Sequence, residues 1–303
     1  MPQEHPPDIS SLDGATEIFL GARSRLFGIA YRMLGAVAEA EDAVQETWVR
    51  WQTADRAAVL DPVAYLVSVT TRIAINVSQS ARSRRETYVG PWLPEPVDTS
   101  SDPTLGAERG EALALAVMLM LEKLPPAERA AYVLREAFEY SHRQIAAVLE
   151  MTESNARQIV TRARKHIAEE RRAPVRKAEH ERLLRAFLAA AQLGEVAGLE
   201  RLLGATAISY SDGGGVVHAA LQPIHSRARI AKFIAAFASH WWKGTTVTWV
   251  EANGGPAALV SRDGQARALV SIDASGEEVD RILWVMNPAK LASISARNPA
   301  KIL

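Results

Sequence analysis

The sequence predicts a multidomain chain: two all-α units, the second with a helix-turn-helix, then an α+β domain whose curved antiparallel sheet wraps over helices. Three observations predict it. Apolar residues recur at helical spacing over residues 16–88 and again over 111–172. Between them lies VGPWLPEPVDTSSDPTLGAERG (89–110), rich in Pro, Ser, Asp and Gly, where no helical period survives. After Ala173-Pro174 helices come first and short β-rich runs follow, the order of an α+β domain. The expected plan is a flexible tail (1–15), a first helical domain (16–88), a linker (89–110), a second helical domain (111–172), a short linker (173–180) and the α+β domain (181–303).

In the first unit Leu26, Ile29, Ala30, Met33 and Leu34 form a buried stripe that ends near Gly35. The next helix, from about Glu39 to Trp51, has two faces. Ala40, Ala43, Val44, Thr47, Trp48 and Trp51 point inward, whereas Asp42, Gln45, Glu46 and Val49 share a second face at i, i+3, i+4, i+7. An acidic stripe beside exposed aliphatic surface suits docking onto a basic protein helix; a solvated face gives the same pattern. Residues 52–62 are a loop ended by Asp61-Pro62, with proline in the first turn of a helix that buries Tyr65, Leu66, Val69, Ile73 and Val77. That helix runs into the basic SARSRRE. In the linker, Trp92-Leu93-Pro94 is an apolar cluster on an extended segment, and such a cluster is expected to dock.

Ser141 to Ile167 reads as two short helices and a tight turn. In the second, Ala156, Ile159, Val160, Ala163 and Ile167 make one apolar stripe, and Thr152 caps the start. Ser154, Asn155, Arg157, Gln158, Thr161, Arg162, Arg164 and Lys165 form a donor-rich face suited to a DNA groove, although any antiparallel helix pair also has such a stripe and a solvated face. The turn position that often holds Gly is Glu150, so a left-handed backbone there would be strained or avoided.

In the last domain residues 181–203 make one or two helices. Strands are expected over Ala207–Ser211 and Val216–His218, joined by an Asp212-Gly213-Gly214-Gly215 turn. After a helix over Ser226–Ser239, strands follow over Thr245–Ala252, Ala257–Arg262, Ala266–Asp273 and Glu278–Met286. Candidate catalytic groups are Asp212, His218, His225, His240 and Asp273. A turn role explains Asp212, and the histidines lack metal-ligand spacing, so no catalytic residue, metal site or cofactor is assigned. Trp241-Trp242 belong to the core or line a cavity.

At 303 residues, 48% hydrophobic and 23% charged, the composition is that of a soluble globular protein. With no cysteine, disulfides, thiolate nucleophiles and Cys-ligated zinc are excluded. There is no signal-peptide pattern and no apolar run of about 18 residues, so a cytoplasmic protein without a membrane partner is expected. Net charge is zero, but positive charge clumps at Arg82, Arg84 and Arg85 and again from Arg157 to Lys177, as phosphate contacts need.

These residues carry a family resemblance over nearly the whole chain. Leu26 to Arg32 (LFGIAYR) with Ala40 to Trp48 (AEDAVQETW) resembles domain two of an extracytoplasmic-function (ECF) sigma factor, and Ser141 to Arg164 resembles domain four. Trp92 to Pro96 (WLPEP), Asp212 to Gly215 (DGGG) and Asn287 to Leu291 (NPAKL) are similar to signature stretches of an ECF subgroup with a fused SnoaL-like (NTF2-like) C-terminal domain, an α+β cone. The resemblance implies a bacterial initiation factor that binds core RNA polymerase and recognises double-stranded promoter DNA at −35 and −10 elements. Asp42, Gln45, Glu46 and Val49 fall where the family docks on the β′ clamp helices, domain four being placed at the β flap. The 52–62 loop falls where a flipped −10 base is captured. Arg72, Asn76, Arg82, Arg84 and Arg85 fall along the −10 segment, and Ser154, Asn155, Arg157, Gln158, Arg162, Arg164 and Lys165 at the −35 element. The family usually has Asp and more basic residues where this chain has Asn76-Val77-Ser78, and Asp where it has Ala289. A second copy of the last motif, Asn298 to Ile302 (NPAKI), closes the chain.

Two function classes remain. The first is a sigma factor, not an enzyme, whose C-terminal domain holds the linker in cis through Trp92, Leu93, Pro94, Asp212, Gly213, Gly214, Gly215, Asn287, Pro288 and Lys290. There the glycines permit close approach and the turn offers backbone donors. The second is a DNA-binding regulator whose C-terminal domain is a ligand sensor or an enzyme. A small ligand in the SnoaL-like cavity is a further candidate partner.

Overall fold

A computed structural model describes residues 11–100, 113–170 and 175–295, apart from the side chains of 82–84 and 295. The chain forms two compact units. The first comprises Met1–Arg84, Ala107–Ala112 and Leu121–His166, and the second Arg85–Gly106, Leu113–Met120 and Ile167–Leu303.

The first unit is helical. Helix α1 (Leu12–Leu34) starts at Ser11, whose side chain accepts from the Gly14 amide, and stops at left-handed Gly35. Helix α2 (Val37–Thr53) buries Ala40, Ala43, Val44, Thr47 and Trp51. Trp51 donates its indole N–H to the Ala15 carbonyl at 3.0 Å, and Thr47 meets Thr70 of α3 (Pro62–Glu86) at 2.9 Å. These bonds satisfy the polar atoms that the large apolar contacts bury. Tyr65, Val69 and Val77 are only half-buried, whereas Leu66 and Ile73 are in the core. Asp61 caps α3 by accepting from the Ala64 amide.

Helix α4 (Leu115–Leu121) belongs, all but its last residue, to the second unit, and the chain then returns to the first at α5 (Pro126–Glu136), where Pro126 begins the first turn. Buried Arg129 of α5 donates to the Met33 carbonyl of α1 at 2.6 Å and to Glu122 at 2.8 Å. Helix α6 (His142–Val148) opens with a capping box between Ser141 and Gln144. Helix α7 (Glu153–Glu170) follows, Thr152 accepting from the Asn155 amide. Of the two alternatives at this turn, strained or avoided, the chain takes the strained one: Glu150 is left-handed, with φ 52°. A cost of about 1–2 kcal/mol is offset because the Met151 amide reaches the Ala146 carbonyl and Glu150 pairs with Arg72 at 2.8 Å.

In the second unit, α8 (Lys177–Leu193) and α9 (Val196–Leu202) are separated by left-handed Gly194. The strands are β1 (Leu203–Asp212), β2 (Ile224–His225), β3 (Thr245–Ala252), β4 (Gly255–Arg262), β5 (Gln265–Ser275) and β6 (Glu278–Val285). They form one sheet in the order β2-β1-β6-β5-β4-β3. The sheet is curved but mixed, not wholly antiparallel, because β1 pairs with β6 in parallel. That pairing is long-range, so alternation along each strand could not reveal it. Register shifts leave extra residues on β1, on β5 at Arg267 and on β6 at Asp280, and such bulges bend strands. Residues 216–218 are not a strand; they belong to the turn after Asp212. Helix α8 and helix α10 (Arg227–Trp241) lay Leu183, Leu184, Phe187, Ile230 and Ile234 against the sheet face carrying Val260, Val270 and Ile282. The last described helix is α11 (Pro288–Ser295). The second NPAK copy, Asn298 to Ile302, lies outside the described residues.

Candidate functional site

The recognition face of α7 follows from its period. Ala156, Ile159, Val160, Ala163 and Ile167 are buried, which leaves Ser154, Asn155, Arg157, Gln158, Thr161, Arg162, Arg164 and Lys165 exposed. The face is not uniformly available. Arg162 pairs with buried Glu128 at 3.0 Å and Arg164 with Glu136 at 2.6 Å, so both guanidiniums are tied to α5. Arg157 pairs with Glu153 one turn back, an exposed pair that exchanges cheaply for a phosphate or base.

On α2, Asp42, Gln45, Glu46 and Val49 are all exposed. Glu46 is held by Arg50 at 2.9 Å, again an exposed i, i+4 pair. The 52–62 loop forms a 3-10 turn over Arg56–Ala58 and leaves Leu60 fully exposed. Of the residues expected along −10 DNA, Asn76 is exposed and Arg72 is paired with Glu150. The side chains of Arg82 and Arg84 lie outside the described residues. Arg85, expected in the same set, has its guanidinium over the Trp92 ring, 3.6 Å from the centroid, a favourable place for a cation.

In the second unit the WLPEP segment is laid against the C-terminal domain. Leu93 is 1% exposed, and Pro94, Pro96 and Val97 are also buried. The centre of the contact is Asp212, fully buried at the end of β1. One carboxylate oxygen accepts the Tyr88 hydroxyl at 2.6 Å. The other accepts the Leu93 amide at 2.9 Å and the Lys290 ammonium at 2.7 Å. Lys290 also donates to the Leu93 carbonyl and sits over Trp92, 4.3 Å from its centroid. Asp212 is therefore not a turn residue, as its three following glycines suggested; its carboxylate grips the linker. Burial lowers the Lys290 pKa, opposed by Asp212, and burial followed by the Asp212 hydrogen bond raises that of Tyr88.

The glycines supply space at this contact. A Cβ on Gly214 (φ 61°) would lie 2.3 Å from Asn287 Nδ2 and 3.0 Å from the Tyr88 oxygen; one on Gly213 would lie 2.2 Å from the Val217 carbonyl oxygen. Gly215 faces Val89. Asn287 donates to the Tyr88 oxygen at 2.9 Å and accepts the Ala289 amide, an Asx turn that positions Pro288 at the start of α11.

A second anchor was not read from sequence. Asn253, left-handed at φ 53° in the β3–β4 turn, accepts the Val97 amide, and its own amide donates to the Val97 carbonyl. Its Nδ2 reaches the Leu113 carbonyl at 3.1 Å. The Asn253-Gly254 pair does signal a hairpin in the sequence, but its outward grip on residues far along the chain does not follow from a local turn rule. Ser293 adds a bond to the Pro96 carbonyl.

The enzymatic candidates do not converge. His218, His225 and His240 are exposed, and Asp273 is paired with Arg281 at 2.9 Å. Among the described residues no cluster of His, Asp and Glu could hold a metal ion, and no helix is long and apolar enough to cross a membrane.

Residues 19–85 match the Sigma-70 region 2 family and residues 114–167 the Sigma-70, region 4 family. The chain is 33% identical over 231 residues to the ECF RNA polymerase sigma factor SigJ of Mycobacterium tuberculosis, covering 75% of this chain and 74% of SigJ. This chain belongs to the ECF sigma factor family. A second relative from that organism, named "Probable ECF RNA polymerase sigma factor SigI", is 34% identical over 192 residues, 62% of this chain and 66% of its own. The crystal structure of the M. tuberculosis extracytoplasmic function sigma factor SigJ superposes with a TM-score of 0.73 at 28% identity, covering 92% of this chain and 98% of that one. Sigma region 2 and region 4 helices followed by a SnoaL-like (NTF2-like) α+β domain are thus the architecture of this sigma factor. Its domains imply core RNA polymerase and promoter DNA as partners, and the relatives are named as sigma factors, not enzymes.

Proposed function

We propose that this sigma factor directs promoter-specific initiation in the cytoplasm and that its C-terminal domain controls it in cis by holding the linker. Asp42, Gln45, Glu46 and Val49 dock on the β′ clamp helices, and the region 4 helices on the β flap. Ser154, Asn155, Arg157 and Gln158 read the −35 element, because Arg pairs bidentately with guanine and Asn or Gln with adenine. Lys165 holds phosphate, and Arg162 and Arg164 join it once they leave Glu128 and Glu136. Arg72 and Asn76, with Arg82 and Arg84, face −10 DNA, and the 52–62 loop with exposed Leu60 takes the flipped base. The three-part domain plan is the functional division: region 2 (16–88), region 4 (111–172) and the regulatory domain (181–303), with the linker as the regulated element.

One observation carries the regulatory reading: a buried carboxylate, Asp212, satisfied by three donors, of which Leu93 is in the linker and Tyr88 immediately precedes it. Promoter binding needs regions 2 and 4 at set positions, so the length of linker left free sets the effective concentration of one for the other's DNA element. The test is run-off transcription with purified core polymerase, comparing the full chain with Trp92→Ala. Promoter-specific initiation that changes in the variant supports the reading. Initiation unaltered after the linker is released overturns cis control, and no initiation by either protein overturns the sigma assignment of these residues.

A further inference from the structure

The C-terminal domain carries a half-open pocket of about 260 Å³ that the linker contact does not use. One wall is aromatic: Trp241 meets Trp242 edge-on at 4.3 Å between centroids and Trp284 at 5.4 Å. Phe233 and Phe237 of α10, 38% and 52% exposed, also line it. Its polar groups are few: exposed His218 and two serines. Ser209 and Ser211, two residues apart on β1, face it together and are 4% and 8% exposed. Neither hydroxyl has a hydrogen-bond partner among the described residues. Two hydroxyls with no protein partner, side by side in a mostly apolar pocket, are free to donate to and accept from a bound molecule.

The lining contains no Asp, Glu, Lys or Arg, and its one titratable group, His218, is exposed, so an ion held against the tryptophans would lose its hydration without a buried counter-charge. An apolar cavity of about 150 Å³ accepts one benzene, so this volume suits two fused rings. We propose that the cavity binds a neutral, planar, hydroxylated aromatic molecule, its rings against the tryptophans and its hydroxyl on Ser209 and Ser211, and that its occupancy is coupled to the linker contact.

The coupling follows from shared backbone, and it rests on the cis-regulatory reading above. In the parallel pair, Ser211 stands opposite Trp284 and Asp212 opposite Val285. Alternation along a strand therefore gives the cavity Ser209, Ser211, Trp284 and Met286 and gives the linker Asp212 and Asn287. Met286 donates its amide to the Asp212 carbonyl at 2.8 Å, which locks the two strand ends together. The turn leaving Asp212 returns Ala219 and Ala220 to the cavity wall, and Gly90 of the linker lies against Ala220 and Leu221. A ligand that shifts either strand end shifts both sites, and the linkage is reciprocal.

The test uses the full chain with 2-naphthol as probe. Calorimetric titration is expected to give one saturable site. The double variant Ser209→Ala/Ser211→Ala is expected to lose about fivefold to tenfold in affinity for 2-naphthol while binding naphthalene unchanged. Phe237→Ala, at a half-exposed position where the fold is not at risk, weakens both probes. Hydrogen exchange over residues 88–99, with its readout at the Leu93 amide, is expected to change at least threefold at saturation. Absence of saturable binding, or serine variants that treat 2-naphthol as the parent does, overturns the site. An unchanged Leu93 amide at saturation overturns the coupling. Both readouts need no polymerase. If both respond while 2-naphthol leaves run-off transcription untouched, the site and its coupling stand and cis regulation falls.

Discussion

Asp212→Asn is the most informative single substitution, because it keeps the shape of the side chain and removes only its charge. Lys290, its side chain 12% exposed, then faces the rings of Tyr88 and Trp92 with only the weaker charge of Glu95 to oppose its own. Breaking a buried pair by removing one partner costs about 3–5 kcal/mol. At 1.36 kcal/mol per decade, the linker's opening constant rises by roughly two to nearly four decades. The lower end is expected, because Lys290 can shed its proton: burial already lowers its pKa. Hydrogen exchange followed by mass spectrometry reads this as faster exchange of the Leu93 amide, which Asp212 now accepts at 2.9 Å. Adding Lys290→Met should recover most of the loss, since replacing both charges removes the uncompensated one. Unchanged Leu93 exchange in Asp212→Asn, or a double variant as open as the single, would refute the argument that this charge pair holds the linker.

Other perturbations test separate parts. Charge reversal on α2, Asp42→Lys with Glu46→Lys, should abolish core-polymerase binding in a pull-down while shifting unfolding free energy by less than about 0.5 kcal/mol per site, as befits exposed positions. Gly214→Ala should destabilise the second unit by about 1–3 kcal/mol in a denaturant titration, from its left-handed backbone and the 2.3 Å approach to Asn287. His180 bonds the Ile272 carbonyl at 3.0 Å, and burial holds its pKa below the ordinary 6.5. The unfolded chain then takes up the proton first as pH falls. Stability present above about pH 6.5 is therefore lost below it, and thermal melts of His180→Gln should show a weaker acid dependence than those of the parent.

Much of the chain was legible from local spacing. The stripe Ala156, Ile159, Val160, Ala163, Ile167 determined which face of α7 is buried, and hence that Ser154, Asn155, Arg157 and Gln158 are exposed. The same reasoning placed Asp42, Gln45, Glu46 and Val49 outward on α2, because a 3.6-residue period carries that information within a few residues of sequence. An apolar Trp92-Leu93 pair inside a polar linker also announced docking, since exposed apolar clusters are unfavourable. The family resemblance grouped Asp212 and Lys290 with Trp92 and Leu93, but tertiary structure alone decided which atoms meet. Asp212 meets Tyr88 and Leu93 across separations of 124 and 119 residues, and Asn253 meets Val97 across 156. It likewise turned Arg85 onto Trp92, tied Arg162 and Arg164 to α5, set β1 parallel to β6, and held Glu150 left-handed beside Arg72. Periodicity says which side of an element faces the protein. Which charge or carbonyl waits there is determined only when distant segments are packed together, and in this chain that packing is what takes hold of the linker.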